Sequence, residues 1–246
     1  MTELINAIRC SMVCLVLLYL PLSAGAEEDP GAVEFSRAET LLWMTDQLKT
    51  IERPVELTYQ FDRTGTFESG FTDTVRFVVE AIKTDGMKTA SLNFFTGERR
   101  FNVPPVENTN VNPVLKVYLQ GDVYEMNRLT DTEGTSKERW RYFQRRIKFA
   151  LADSAEIENV VVSFSGKEFA AYKVSFRPYI NDSKRRLFEK FADKAYHIVV
   201  SDEIPGYLYR VETVVPADTP DAPPLIREVL QLVSADEIAG GAEGGL

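Results

Sequence analysis

Few residues of this 246-residue chain have the types and spacing that catalysis or metal binding needs. His197 is the only histidine, which excludes a metal site with several histidine ligands from one chain. A catalytic base also needs a nucleophile beside it, and no nucleophile motif accompanies His197. It lies between Tyr196 and Ile198 in a strand-like run. We therefore expect a partly buried, hydrogen-bonded histidine.

Motifs of known enzyme classes are also absent from the sequence. The chain has no G-x-S-x-G nucleophile turn, no Walker phosphate loop and no G-x-G-x-x-G dinucleotide motif. Its many Asp and Glu residues show no spacing that indicates an acid–base pair, so carboxylate catalysis is left open and unsupported. We predict that the protein is not an enzyme and that it uses no metal and no cofactor.

The first 26 residues have the order of a secretory signal peptide. Arg9 supplies a positive charge, residues 10–22 are almost wholly apolar, and Ala24-Gly25-Ala26 is a small-residue cleavage site. The apolar run is shorter than the roughly 20 residues that a membrane-spanning helix needs. We predict cleavage after Ala26 and a periplasmic location. Both cysteines of the sequence lie in the removed segment, so the mature chain forms no disulfide.

Charge and length restrict the remaining possibilities. The net charge is -9, whereas binding to nucleic acid needs a positive excess on the surface, so we expect no nucleic-acid partner. We predict one domain over residues 27–238, because β-rich domains of this length often have a single core. The Gly-rich residues 239–246 have too little to bury and are predicted to be disordered.

Alternating apolar and polar residues predict about eight to ten antiparallel strands. The predicted strands cover residues 55–61, 73–83, 90–94, 99–103, 157–164, 169–176, 196–200, 207–215 and 225–234, with Pro104-Pro105 ending the fourth. Helical spacing predicts helices over residues 36–50, from Asn112-Pro113 onward, over 135–152, and a short one after Asp182. The sum is an α+β fold in which helices cover one face of a curved antiparallel sheet.

Seven aromatic or branched residues on these strands are candidates for binding a hydrophobic ligand. They are Leu57, Tyr59, Phe61, Phe77, Phe94, Phe176 and Tyr209. If the helices cover the sheet loosely, these side chains line a cavity on its concave face. An ordinary core beneath the helices explains them equally well, so both interpretations stay open.

The predicted helix over residues 135–152 is basic in a protein that is acidic as a whole. Lys137, Arg139, Arg141, Arg145, Arg146 and Lys148 surround an apolar stripe of Trp140, Phe143, Ile147 and Leu151. A local positive excess attracts anionic lipid headgroups or an acidic partner surface. We select Arg141, Arg145 and Lys148 as the candidate contacts. A solvated face, or pairing with neighbouring acids, is the alternative.

Several features together resemble the LolA-like outer-membrane lipoprotein-sorting carriers. They are the signal peptide, an N-terminal helix containing Leu41-Leu42-Trp43-Met44, a meander of strands with a helical insertion, and the late hairpin over residues 204–211. The resemblance implies a half-open antiparallel barrel, helices that act as a lid, and a cavity that holds acyl chains. The insertion from Asn112 to Ala152 looks longer and more basic than the family leads us to expect. No residue here matches the lid-closing arginine of the family.

The resemblance therefore implies a non-enzymatic periplasmic carrier or sorting factor. Its expected partners are a lipid or a lipoprotein acyl chain, with contact to a membrane protein or a membrane surface. The alternative is a periplasmic interaction or assembly module with a filled core and no ligand, which binds another protein through the basic helix or an edge strand.

Overall fold

The structure is a computed structural model that describes residues 34–131, 138–219 and 221–239. This part of the chain contains three α-helices, a π-helical turn and nine strands. The helices are α1 (Arg37–Glu39), which continues into the π-helical turn (Thr40–Met44), α2 (Val114–Thr130) and α3 (Trp140–Asp153). The strands are β1 (Val55–Thr64), β2 (Phe71–Ile82), β3 (Lys88–Phe94), β4 (Phe101–Thr109), β5 (Glu156–Phe164), β6 (Lys167–Phe176), β7 (Ala195–Val200), β8 (Leu208–Val215) and β9 (Ile226–Glu237).

The nine strands form one antiparallel sheet in the order β4-β3-β2-β1-β9-β8-β7-β6-β5. Two meanders, β1 to β4 and β5 to β9, are joined because the first strand pairs with the last. Helices α2 and α3 connect the two meanders in the sequence. The α+β class and the antiparallel meanders predicted from the sequence are confirmed.

The hydrophobic core forms because apolar and polar residues alternate along the strands, which places the apolar side chains on one face of the sheet. In β1 the side chains of Val55, Leu57, Tyr59 and Phe61 are buried, whereas those between them are more exposed. Leu57 lies opposite Phe77 of β2, which in turn lies opposite Leu92 of β3. Apolar side chains that are opposite each other on one face pack together, and this packing stabilises the sheet.

The prediction that Pro104-Pro105 ends the fourth strand is wrong. Strand β4 runs from Phe101 to Thr109 and includes both prolines. The prolines are tolerated there because β4 lies at one end of the strand order, where a residue without an N–H group can face outward. The pairing of β4 with β3 contains two register shifts. Which strand lies at an edge depends on the complete sheet, so the local sequence does not predict it.

The N-terminal helix is shorter than predicted. Ser36 and Glu39 form a reciprocal capping box at the start of α1, but helical structure ends at Met44 rather than at residue 50. The backbone N–H groups of Gln47 and Leu48 donate instead to the carbonyl of Asn110, at 3.0 and 3.2 Å. A tertiary contact therefore replaces the helical hydrogen bonds of the last predicted turn.

Other predicted bounds differ in smaller ways. Helix α3 begins at Trp140, and residues 132–137, which include the predicted capping residue Thr135 and Lys137, lie outside the described residues. After Asp182 two short 3-10 turns (Arg185–Leu187 and Glu189–Phe191) form in place of one short helix. The predicted signal peptide and residues 240–246 also lie outside the described part. In that part, none of the helices has the length and apolarity to cross a bilayer.

Buried polar contacts join α2 to the strands at the centre of the sheet. Asp122 forms an ion pair with Lys194 and accepts a hydrogen bond of 2.6 Å from the hydroxyl of Tyr196. One turn earlier, the hydroxyl of Tyr118 donates to Glu228 at 3.0 Å. Buried charges need partners of this kind, since desolvation without one is costly. The contacts fix the rotation of α2 about its axis.

Asn112 connects α2 to three other segments. Its side-chain amide donates to the hydroxyl of Tyr59 and to the carbonyl of Gly206, both at 2.8 Å. Its side-chain oxygen accepts from the N–H of Val114, two residues on, at 3.0 Å, and so closes a turn just before α2, whose N-cap is Pro113. Its own N–H donates to the side chain of Gln47 at 2.9 Å. The start of α2 is therefore held against β1, the turn before β8 and the N-terminal segment.

Candidate functional site

A groove of about 660 Å³ lies between the N-terminal helical segment, α2 and α3. Its apolar lining comes from all three segments and consists of Phe35, Trp43, Leu119, Val123, Trp140, Ile147 and Leu151. Its polar lining consists of Glu39, Lys116, Gln120, Arg141, Gln144, Arg145 and Lys148. The groove therefore joins an apolar floor to a mainly cationic rim, and Arg141, Arg145 and Lys148 are the three cations selected from the sequence.

Helical spacing explains how α2 and α3 contribute to this lining. On α2, Lys116, Leu119, Gln120 and Val123 recur at intervals of three and four residues, so they share one face. On α3, Trp140, Gln144 and Lys148 follow the same rule, as do Arg141 and Arg145. Phe143 and Ala150 of α3 are buried instead. Along the groove, each helix thus places buried apolar side chains, such as Leu119 and Ile147, next to exposed cations, such as Lys116 and Lys148.

The N-terminal segment closes one side of the groove through its capped turn. The hydroxyl of Ser36 donates to the carbonyl of Leu151 at 2.9 Å and so joins α1 to the end of α3. Among the described residues of the lining Glu39 is the only acid, and its carboxylate is occupied because it accepts from the N–H of Ser36 at 3.0 Å. The π-helical turn that follows contains Trp43. Short π-helical turns often occur at functional sites.

Most cations of the rim have no carboxylate partner. Arg141 forms an exposed ion pair of 2.8 Å with Glu138. No ion pair joins Lys116, Arg145 or Lys148 to another of the described residues. Exposed pairs contribute little, so even Arg141 is available to a ligand. Within the described part, Arg145 and Lys148 are therefore not paired with neighbouring acids. A ligand contact and a solvated face are the two interpretations that remain for them.

Gln120 adds an unused hydrogen-bond donor to the groove. Its side-chain oxygen accepts from the amide of Gln144 at 3.3 Å. Its Nε2 atom is buried and has no hydrogen-bond partner among the described residues. A buried donor without a partner is costly, so an acceptor oxygen from a ligand would stabilise this arrangement.

The seven strand residues predicted to bind cargo belong to the core of the sheet rather than to the groove. Six are buried in the hydrophobic core, namely Leu57, Tyr59, Phe61, Phe77, Phe94 and Phe176. Within the described residues, the lining of the groove includes none of the seven. The core around them is tightly packed: the ring of Phe61 lies 5.2 Å from that of Phe71 and 4.9 Å from that of Phe95, between centroids. Their role in binding cargo stays a prediction.

Two of the seven also contact other hollows. Phe176 lines a hollow of about 860 Å³ beside α3, whose lining mixes apolar side chains such as Phe149 with charged ones such as Arg146 and Lys173. Tyr209 is only partly buried and packs against the edge of the core, and its hydroxyl donates to the carbonyl of Ser163 at 3.0 Å. It lines a separate hollow of about 450 Å³.

His197 has the environment expected from the sequence. It is half-buried, and its Nδ1 atom lies 2.9 Å from the hydroxyl of Ser175, its neighbour across the strand pair. Burial lowers the pKa of the imidazole. In the described part of the chain no cluster of His, Cys, Asp and Glu side chains has the geometry of a metal site.

Sequence reasoning missed several residues of the groove. Phe35, Trp43, Lys116 and Gln120 were not selected as site residues, although they line it. One signal was present: Lys116 and Gln120 lie at helical spacing next to Leu119 and Val123, which belong to the buried stripe of α2. No pattern within the sequence shows that Lys116 and Gln120 face α3.

No family model and no curated protein matches the chain. Several solved structures are similar to it, among them the following three. The complex of MucA and MucB from Pseudomonas aeruginosa is 11% identical with a TM-score of 0.36, and the match covers 85% of this chain but only 59% of that chain. The lipoprotein LppX from Mycobacterium tuberculosis is 9% identical with a TM-score of 0.32, and the match covers 83% of this chain and 99% of LppX.

The third structure is a LolA superfamily protein from Nitrosomonas europaea, 7% identical with a TM-score of 0.23, for which the match covers 85% of this chain and 96% of that chain. The LolA superfamily is thus among the structural neighbours. Because the TM-scores and identities are low, we base the proposed function on the geometry of the groove.

Proposed function

We propose that the protein is a non-enzymatic carrier that binds an amphiphile with an anionic head in the groove between α1, α2 and α3. One observation carries the proposal: an apolar floor adjoins cations that have no carboxylate partner within the described residues. The signal-peptide pattern of residues 1–26 supports a site of action in the periplasm. A lipid or a lipoprotein acyl chain has the chemistry that this lining fits.

Each part of the groove has a role in binding such a ligand. Burial of an acyl chain against the partly exposed rings of Phe35, Trp43 and Trp140 gains roughly 0.8 kcal/mol per methylene removed from water. The cations Arg145 and Lys148 neutralise an anionic head, and the unpaired Nε2 of Gln120, now buried, donates to one of its oxygens once the side chain turns towards the groove. Binding of this kind needs no catalytic group.

The location of the cargo in this proposal differs from the one predicted from the sequence. We place the acyl chain against the helices rather than among the core aromatics of the sheet. The sheet itself is proposed to be a half-open barrel, whose end strands β4 and β5 stay apart, with α2 and α3 over its buried face. Leu57, Phe77 and the other core residues then support the helices from below.

The two tryptophans of the chain provide a direct test, because Trp43 and Trp140 both line the groove. We expect dodecyl phosphate, added below its micelle-forming concentration, to shift tryptophan emission to shorter wavelength. Dodecyl trimethylammonium has the same chain with a cationic head, and it should bind more weakly. Equal shifts with both compounds would contradict the role of the cations, and no shift with either would contradict the carrier function.

A matched pair of variants separates binding from general charge effects. Reversal of two rim cations, Arg145→Glu with Lys148→Glu, should weaken dodecyl phosphate binding. Reversal of two exposed cations outside the groove, Lys167→Glu with Arg186→Glu, changes the net charge equally and should leave binding unchanged. Equal losses in both variants would indicate a general effect of net charge.

The exposed edge of β5 favours a second function, that of an interaction module. Strand β5 pairs with β6 at nine consecutive positions without a register shift, and Val161 is 68% exposed. It contains no proline, in contrast to β4. Unprotected edges accept an added strand. A photo-reactive residue at Val161 should then cross-link a partner in cells that export the protein, and the same residue at Phe101 of β4 should not.

A further inference from the structure

Aromatic side chains surround the opening of the groove and are partly exposed. Phe35 is about half-exposed although it lines the groove. Tyr124 is equally exposed, and its ring contacts that of Trp140 with centroids 5.3 Å apart. Trp43 and Trp140 are partly exposed as well. Aromatic rings with a polar end are favoured at the boundary between water and a bilayer.

The cations of α3 lie beside these aromatic rings. Arg141, Arg145 and Lys148 are exposed and follow one another at spacings of four and three residues, so they point to one side of the helix. The guanidinium of Arg141 lies over the ring of Trp140, at 5.3 Å from its centroid. Cations next to aromatic and apolar side chains are typical of helices that lie at the surface of an anionic bilayer.

Charge determines which face of the molecule meets such a surface. The whole chain has a net charge of -9, so an anionic surface repels most of it. Among the described residues that line the groove, four cations (Lys116, Arg141, Arg145 and Lys148) stand against the carboxylate of Glu39, which is bound within its capping box. Glu138, outside this lining, pairs with Arg141. The side on which the groove opens is therefore locally cationic, which favours its contact with an anionic surface.

We propose that Phe35, Trp43, Tyr124 and Trp140, with the three cations of α3, form a docking surface for an anionic bilayer. This inference rests on the proposed carrier function, because it gives the groove a route by which an amphiphile passes between bilayer and protein without crossing water. A lipid surface fits better than an acidic protein, since the same opening presents an apolar floor that is continuous with the rim.

Co-sedimentation with lipid vesicles tests the proposal, with the N-terminus of the purified protein determined by mass spectrometry. The protein should sediment with vesicles of phosphatidylcholine and phosphatidylglycerol, and only weakly with phosphatidylcholine alone. Added salt should release it, because exposed charges are screened. Equal sedimentation with both kinds of vesicle, or none with either, would overturn the proposal.

Variants locate the contact. Reversal of Arg141, Arg145 and Lys148 to Glu should reduce binding to the anionic vesicles by at least about tenfold, since each basic residue near such a surface contributes on the order of a fivefold effect. Reversal of Lys167, Arg177 and Arg186 to Glu changes the net charge equally outside the groove and should have little effect. Phe35→Ser should weaken binding, whereas Phe101→Ser on β4 should not. Equal effects in each matched pair would refute the docking surface.

Two outcomes distinguish docking from the carrier function itself. Binding of monomeric dodecyl phosphate without binding to vesicles would refute the docking surface and leave the carrier function intact. Binding to vesicles without any response to monomeric dodecyl phosphate would retain the docking surface and refute the carrier function. A circular-dichroism spectrum of each variant shows that loss of binding does not come from unfolding.

Discussion

The two faces of α2 use their polar side chains in opposite ways. Towards the sheet, Asp122 and Tyr118 are buried, and each has partners on the strands. Towards the groove, Lys116 is exposed without an ion-pair partner in the described part, and the buried Nε2 of Gln120 has no acceptor there. The inner face therefore already has its hydrogen bonds satisfied, while the outer face is ready for a ligand. Substitutions on the two faces should differ accordingly.

The largest effect is expected for a charge placed in the core. Phe77 is 0% exposed, and Phe77→Asp buries a carboxylate without a partner. We expect the free energy of unfolding to fall by about 4 kcal/mol or more. Urea denaturation measures this, with Phe101→Asp at an exposed position of β4 as the control, which should change it by less than about 0.5 kcal/mol.

The same variant also tests where cargo binds. If Phe77→Asp folds with nearly unchanged stability and loses the response to dodecyl phosphate, the cargo lies among the core aromatics, as predicted from the sequence. That result would refute the assignment of binding to the outer face of α2. Stability and binding must therefore be measured on the same preparation.

The second prediction concerns the ion pair on the inner face. The side chains of Lys194 and Asp122 are only 3% and 1% exposed, so Lys194→Met leaves a buried carboxylate without its cation. The expected loss of stability is about 3–5 kcal/mol. Lys49 and Asp202 form the same kind of pair with 47% and 46% exposure, and Lys49→Met should cost less than about 1 kcal/mol.

Equal effects of Lys194→Met and Lys49→Met on stability would show that burial does not determine the strength of these pairs. The claim that the inner face of α2 is fixed by its polar contacts would then be wrong. The two variants are a matched pair because each removes a lysine that forms an ion pair with an aspartate, so they differ mainly in burial.

Sequence patterns predict the strands well and the groove poorly, for a physical reason. A strand with one buried face repeats every two residues, so Leu57 and Phe77 are recognisable from their neighbours alone. The groove contains residues from three separate segments, such as Phe35, Lys116 and Lys148. Only the packing of the helices brings them together, and that packing cannot be read from local patterns in a single sequence.

The cations of α3 and the pair of Asp122 with Lys194 illustrate the same difference. Arg141, Arg145 and Lys148 stand out because a basic helix is unusual in an acidic chain, and this contrast is visible in the composition. Asp122 and Lys194 lie far apart in the sequence, and each resembles an ordinary surface charge. Their pairing depends on the position of α2 against the strand that follows Lys194.

The third prediction is a smaller effect that depends on pH. Burial raises the pKa of the Glu228 carboxyl, which accepts the hydrogen bond from Tyr118, although the nearby Lys194 opposes the shift. The folded protein thus holds this proton more tightly than the unfolded chain does. The stability that protonation of Glu228 supplies is fully present below the unfolded pKa and is lost as pH rises through the higher folded pKa.

Glu228→Gln removes this titration while keeping a side chain of similar shape. The difference in unfolding free energy, wild type minus variant, should therefore decrease as pH rises from about 4 to about 8. Urea denaturation at several pH values measures it. A difference that is constant or that increases with pH would contradict a raised pKa at this position.

The smallest effect on stability is expected on the outer face, and it completes the comparison. Arg145 and Lys148 are exposed and form no ion pair within the described residues, so Arg145→Glu with Lys148→Glu removes no contact that stabilises the fold. Glutamate near the end of α3 opposes the helix dipole by only a few tenths of a kcal/mol. We expect the free energy of unfolding to change by about 0.5 kcal/mol or less in urea denaturation, while the affinity for dodecyl phosphate falls. If stability falls by several kcal/mol instead, these cations support the fold through contacts with residues outside the described part, and the contrast between the helix face that stabilises and the face that binds does not hold.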